Sequence, residues 1–94
     1  MQQQTFIVVA TFTDDADMAA VAATVPEEIR QVEALRGQGR MGGVHVAFAR
    51  RTVFIEVLAA DEAAAIQTVQ ELPLARWFIL DVYPTSAQGL PAAA

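Results

Sequence analysis

Four short segments that favour β-strands, with two helical segments between them, constrain the fold of this chain most strongly. The strand-like segments are rich in β-branched and aromatic residues and cover 6–12, 44–49, 52–58 and 77–83. One helix is predicted between the first two strands and another between the last two. A chain of 94 residues has room for one hydrophobic core, so residues 1–94 are predicted to form a single domain.

The first helical segment is predicted in two parts. Residues 17–23 are rich in alanine and predict one or two turns of helix. Thr24, Pro26 and Glu27 then form the pattern of a new helix start, with a capping hydroxyl, a proline in the first turn and a capping-box acid. We therefore expect a bend or break near Thr24, and a helix that continues to about Arg36 before two closely spaced glycines end it.

The second helix is predicted to start at Asp61 and Glu62 and to stop at Pro73. The resulting order is β-α-β-β-α-β. With right-handed crossovers, this order predicts an α+β, ferredoxin-like fold: a four-stranded antiparallel sheet of order 4-1-3-2 with both helices on one face. Residues 84–94 contain Pro, Gly and several alanines and are predicted to form an extended C-terminal tail.

The predicted strands carry apolar side chains on both faces. In the third strand, Val53, Ile55 and Val57 alternate with Phe54 and Leu58. The helices cover only one face, and monomers rarely expose an apolar surface as large as the other face. We therefore expect a homodimer or higher homo-oligomer in which two sheets pack face to face across a two-fold axis. The alternative is a monomer whose tail folds across the bare face.

The composition excludes several kinds of chemistry. The chain has no cysteine and no lysine, which excludes disulfides, thiolate chemistry and Schiff bases. With a single histidine it cannot build a multi-histidine metal site, and we expect neither a metal nor a cofactor. A net charge of −5 with scattered arginines argues against nucleic acid as a partner. No apolar run approaches the ~20 residues of a membrane span and no secretion signal is visible, so we expect a cytoplasmic protein without a membrane partner.

Glu28 is the first candidate catalytic residue. At 100° per residue it falls inside the arc of the first helix that faces inward. The arc consists of Val25, Ile29, Val32 and Leu35. Burial would raise the pKa of an inward carboxyl group and would suit it to proton transfer near neutral pH. The alternative is a marginal side chain that pairs with Arg36 or reaches water.

His45 and Glu56 are the other candidate catalytic residues. If the hairpin at residues 50–51 has a loop of two or four residues, Ala49 faces Thr52 and His45 faces Glu56 across the two strands. A neighbouring carboxylate raises the pKa of a histidine and fixes its tautomer, as acid–base sites require. The alternative is a structural ion pair near the end of the sheet or at the dimer seam.

Aromatic and arginine side chains are candidates for binding a small-molecule ligand. Phe54, Trp77 and Tyr83 are candidate lining residues of an apolar pocket, and Arg76 is the candidate that receives a substrate carboxylate. The other arginines considered for that role are Arg40, Arg50 and Arg51. The alternatives are ordinary core aromatics and scattered surface arginines.

Several segments carry a resemblance to a known superfamily. They are 52–57 (TVFIEV), 61–64 (DEAA), 71–74 (ELPL) and the strand that follows. In these segments the chain resembles the dimeric α/β-barrel superfamily, and most closely the muconolactone isomerase-like proteins. The YCII-like group is a second choice, which residues 35–40 (LRGQGR) and the second half of the chain resemble.

The chain also departs from these families. The Trp-Arg pair of muconolactone isomerases is replaced by residues 43–45 (GVH), and their His-Pro-Ser-Ser stretch by residues 83–86 (YPTS). A lysine in the first helix is impossible here, and the histidine of YCII-like proteins in that helix is missing. The resemblance implies a dimeric α/β barrel and a proton-transfer isomerase acting on a small lactone or enol. A non-catalytic ligand-binding or assembly module and a cofactor-free monooxygenase remain alternatives.

Overall fold

The computed structural model describes residues 3–85, which form six main elements and two short 3₁₀ turns. In chain order the main elements are β1 (Gln4–Phe12), α1 (Met18–Gly37), β2 (Met41–Ala47), β3 (Thr52–Ala59), α2 (Glu62–Gln70) and β4 (Phe78–Pro84). The 3₁₀ turns are Phe48–Arg50 and Pro73–Trp77. Most of the tail predicted for residues 84–94 lies outside the described residues.

The four strands form one antiparallel sheet in the order β2-β3-β1-β4. This is the predicted order 4-1-3-2, and the α+β, ferredoxin-like fold is confirmed. β1 lies in the middle, with Val8 opposite Ile55 of β3 on one side and opposite Val82 of β4 on the other. The two central strands are therefore β1 and β3, and β2 and β4 form the edges.

The hydrophobic core lies between one face of the sheet and both helices. The central strands contribute alternate residues, namely Phe6, Val8, Ala10, Val53, Ile55, Val57 and Ala59. The helices contribute Val32 and Leu35 from α1 and Ala65 and Val69 from α2. Because all the strand residues in this set point the same way, both helices cover the same face, as predicted.

Helix α1 is continuous, and the predicted break near Thr24 is wrong. Asp17 caps the helix, and its carboxylate accepts hydrogen bonds from the amides of the second and third helical residues. The Thr24 hydroxyl does not cap; it donates to the carbonyl of Ala20 at 2.8 Å. Pro26 lies inside the helix, where it removes one backbone hydrogen bond without ending it. Asp17 supplies an earlier helix start, which the capping pattern around Thr24 obscured.

The end of α1 and the start of α2 agree with the predictions, whereas α2 ends at Gln70, three residues before the predicted stop at Pro73. α1 ends at Gly37, and Gly39 takes a left-handed conformation (φ 73°) while its amide donates to the carbonyl of Arg36. α2 starts after Asp61, whose carboxylate accepts the amide of Ala64 at 2.8 Å. Neither helix combines the length and the apolar character needed to cross a membrane.

The loop of the hairpin between β2 and β3 covers residues 48–51 and lies one residue earlier in the chain than predicted. The turn Phe48–Arg50 closes through the Arg51 amide, which donates to the carbonyl of Phe48 at 3.0 Å. Arg51 then takes a left-handed conformation (φ 51°) before β3 begins. Ala47, rather than the predicted Ala49, therefore pairs with Thr52. The prediction assigned the turn residues to β2 and so placed the register two residues out.

Candidate functional site

A cavity of about 300 Å³ lies beneath the N-terminal half of α1. We call it the α1 cleft. Its walls come from α1, from all four strands and from the turn Pro73–Trp77, and include Val25, Ile29, Val44, Val46, Leu74 and Phe78. Among the described residues that line this cavity, Glu28 is the only one with an ionisable side chain. An apolar concave site with one polar group is typical of small-molecule binding sites.

The cleft is open because the apolar residues around it do not meet one another. Ile29 is 58% exposed and Val46 is 62% exposed, although both face the space between α1 and β2. Further along the same helix, Leu35 is fully buried in the core. The cleft is therefore a local separation of helix and sheet beside a closed core.

Glu28 points into this cleft, as its helical phase predicts. Its Oε1 accepts a hydrogen bond from the amide of Leu74 at 3.0 Å, and its Oε2 accepts none from residues 3–85. Burial raises the pKa of Glu28 above its ordinary value, and the Leu74 hydrogen bond offsets part of that rise. The result is a half-buried carboxyl group with one oxygen anchored by Leu74 and the other without a hydrogen-bond partner among residues 3–85.

The partner of Glu28 is part of a turn that needs a hydrogen-bond acceptor. Pro73 opens the 3₁₀ turn, and the amide of Leu74 belongs to its first residues, which have no acceptor within the turn. Glu28 supplies that acceptor from the neighbouring helix. The contact joins residues that are far apart in sequence, so no local pattern could have revealed it.

His45 and Glu56 lie on the other face of the sheet from Glu28. His45 pairs with Phe54, while the intervening Ile55 is buried in the core beneath the helices. The predicted direct pairing of His45 with Glu56 is therefore wrong, because the earlier position of the hairpin loop shifts the register. The two residues share one face as diagonal neighbours, and within residues 3–85 no ion pair joins them. The structure does not bring the three candidate catalytic residues together.

Glu56 instead accepts a hydrogen bond from the neighbouring backbone. Its Oε1 lies 3.3 Å from the amide nitrogen of Gly43, where the β2–β3 register shifts between Met41 and Val44. A Cβ on Gly42 would lie 1.9 Å from the same oxygen, so the glycine makes room for the carboxylate. This geometry gives Glu56 a role in shaping the irregular part of β2.

The candidate substrate-binding residues do not line the cleft. Phe54 and Tyr83 lie on the face of the sheet that the helices leave open, and the Tyr83 hydroxyl donates to Asp81 at 2.6 Å. This hydrogen bond raises the pKa of Tyr83. Arg76 stacks over the Trp77 ring at 4.2 Å from its centroid. Trp77 ends the 3₁₀ turn and precedes β4, whereas the prediction made it the first residue of that strand.

Most of the residues that line the cleft were not among the site residues predicted from the sequence. A narrower part of about 180 Å³ continues it toward the β2–β3 loop and is lined by Arg51 and Thr52. Both parts share Phe12, Met18, Val46 and Phe48. The available signal was Phe48, a large apolar residue that Ala49 separates from two arginines. Its exposure depends on the loop geometry, which the sequence did not fix.

No protein-family model matches the chain, and no curated protein matches it either. Within residues 3–85, no three or more metal-ligating side chains cluster. The function of the α1 cleft is therefore inferred from its own residues.

Proposed function

We propose that the protein binds a small, mostly apolar molecule in the α1 cleft and catalyses proton transfer on it. Glu28 is the residue that takes up and returns the proton. The observation that carries this proposal is a half-buried carboxyl group with a raised pKa that faces an apolar cavity. Such a group accepts and donates protons more effectively near neutral pH than a solvated glutamate does.

An isomerisation needs only this one group. The Glu28 carboxylate removes a proton from a carbon next to a carbonyl, and the same carboxyl group returns it to another carbon of the enolate. The proton and electron pair balance without a second reactant. The reaction rests on Glu28 alone, because His45 and Glu56 lie on the opposite face of the sheet.

A small lactone or enol is the proposed substrate class. It suits an apolar cavity of this volume, and it agrees with the resemblance of residues 52–57 and 71–74 to muconolactone isomerase-like proteins. A chain without cysteine also suits the cytoplasm, which is the proposed location.

Conversion of α-angelica lactone to its conjugated isomer, a 1,3-proton shift, tests the activity. We expect the protein to accelerate this conversion, and Glu28→Gln to lower the rate by roughly 10²–10⁴-fold while ligand binding remains. Glu27→Gln removes the same charge from the neighbouring, exposed position and should leave the rate unchanged. A wild-type protein that does not accelerate the shift, or an equally active Glu28→Gln variant, contradicts the proposal.

A non-catalytic binding module is the second candidate, and the hydrogen bond from Leu74 to Glu28 favours it. In this case Glu28 holds the turn Pro73–Trp77 against α1 and performs no chemistry. Glu28→Gln would then change stability by about 1 kcal/mol and leave ligand affinity unchanged. The two candidates differ in the lactone rate and not in the binding result.

We also propose a homodimer that forms through the open face of the sheet. Phe54, Ile79 and Tyr83 are each about half exposed there, and Ile7 and Val9 lie between them on β1. A second copy supplies the same apolar surface, so a two-fold axis covers both faces at once. This proposal concerns assembly and is independent of the chemistry in the cleft.

Light scattering at micromolar concentration tests the dimer. The wild-type protein should give twice the chain mass. Ile79→Asp should give a folded monomer, because it places a charge on the apolar surface of the proposed interface. Ile29→Asp, a change of similar exposure at the cleft, should remain dimeric. A wild-type monomer contradicts the dimer.

A further inference from the structure

Arg51 lines the smaller part of the α1 cleft, which shares apolar lining residues with the part that contains Glu28. We infer that Arg51 binds a carboxylate of the ligand, so that the cleft takes small apolar monocarboxylates. This inference rests on the proposed function of the cleft as a binding site. Arg51 takes the place of Arg76, which was predicted from the sequence to bind the substrate carboxylate.

The surroundings of Arg51 leave its guanidinium available for an anion. Its Nη2 donates to the carbonyl of Thr13 at 3.0 Å, which holds the half-buried side chain in place. In the described part of the chain Arg51 forms no ion pair, whereas Arg36 pairs with Glu33 and Arg40 with Glu71. A guanidinium has five N–H donors, so donors remain for two-point binding of a carboxylate.

The backbone of Arg51 provides an independent observation. Its left-handed conformation (φ 51°, ψ 40°) is one that glycine or asparagine adopts more readily. Among residues 3–85 it is the only residue other than glycine with a positive φ. An unfavourable backbone conformation at a cleft-lining side chain points to a role for that side chain.

The arrangement of the cleft fixes the order of groups on the ligand. Phe12, Met18, Val46 and Phe48 line both the part that contains Glu28 and the part that contains Arg51. An apolar body therefore fits the shared section, with its carboxylate at Arg51 and the carbon that exchanges a proton toward Glu28. A ligand with a charge at each end does not fit this pattern.

Binding of 3-phenylpropanoate and of its neutral match, 3-phenylpropanol, tests the inference by NMR titration of the full chain. Arg51→Asn removes the charge and suits the left-handed backbone, so the variant should fold. We expect it to weaken binding of the carboxylate by about tenfold or more and to leave the alcohol unchanged, as the loss of a charged hydrogen bond implies. Arg50→Asn removes the same charge from the adjacent exposed residue and should alter neither affinity.

The possible failures are distinguishable. If the alcohol shifts cleft resonances but Arg51→Asn does not weaken the carboxylate selectively, the Arg51 subsite is overturned and the cleft remains a binding site. If neither probe shifts cleft resonances of the wild-type protein, the binding function of the cleft fails together with the inference.

Discussion

The two halves of α1 pack on the same sheet in opposite ways. In the C-terminal half, Leu35 is fully buried and joins Ala65 and Val69 of α2 in the core. In the N-terminal part, residues 18–29, Val25 and Ile29 stand over the α1 cleft and remain exposed, whereas Val21 is buried. We call residues 30–37 the closed half and residues 18–29 the open half. The closed half supplies apolar burial that stabilises the fold, and the open half supplies a surface for a ligand.

The residue types explain this difference. Beside the closed half, α2 places the small side chains of Ala64 and Ala65 next to the sheet. These alanines allow α2 to approach the strands closely. The open half contains Glu28 in the inward arc, and a carboxyl group that is fully buried without enough partners is costly. A helix that carries this group cannot close completely on an apolar sheet. One end of a helix can thus be anchored while the other end forms a site.

Truncating one large apolar residue in each half should give the largest difference in the free energy of unfolding. Leu35→Ala removes a fully buried side chain and should lower the free energy of unfolding by about 2–5 kcal/mol. Ile29→Ala removes a side chain that is 58% exposed and should cost less than about 1 kcal/mol. Urea unfolding of the two variants measures both values. Similar losses would mean that the N-terminal half is as tightly packed as the C-terminal half.

Enlarging one residue in the core beside the closed half and one residue at the cleft should give a smaller difference in the free energy of unfolding. Ala65→Leu, on α2 beside the closed half, forces extra volume into the core and should cost about 1–3 kcal/mol. Val25→Phe extends into the cleft, should change stability by less than about 0.5 kcal/mol, and should block binding of 3-phenylpropanol. Urea unfolding and the NMR titration check the two parts. Strong destabilisation by Val25→Phe would show that the cleft is not open space.

The closed half was largely predictable from the sequence, because its elements follow from local patterns. Alternation in β1 and β3 identified the core face, and the order of elements gave the sheet topology. Of the open half, only the inward position of Glu28 followed in the same way, from helical phase. These predictions depend on periodicity, which a single sequence displays directly.

The open half was much less predictable, because it depends on conformations that neighbouring residues do not specify. The left-handed backbone of Arg51 sets the hairpin register and so moves His45 away from Glu56. The contact between Glu28 and Leu74 joins a helix to a distant turn. Loop conformation and tertiary contacts therefore shaped the site, and both are absent from local sequence patterns.

The smallest expected effect concerns how the stability of the open half depends on pH. The pKa of Glu28 is raised in the folded state above the ordinary 4.5, so the unfolded chain loses this proton more readily. The contribution of Glu28 to stability is then fully present below about pH 4.5 and is lost as pH rises through the raised pKa. Glu28→Gln keeps an oxygen that accepts the Leu74 amide but cannot ionise.

The variant should therefore gain stability relative to the wild-type protein as pH increases, which urea unfolding between about pH 4 and 8 measures. Glu27→Gln, at the exposed neighbouring position, should show no comparable gain. The opposite result is that the free energy of unfolding of the wild-type protein rises relative to that of Glu28→Gln as pH increases. In that case the Leu74 hydrogen bond stabilises the ionised carboxylate more than burial destabilises it. Glu28 would then act as a tie between α1 and the turn Pro73–Trp77, and the open half would lose its candidate proton-transfer group.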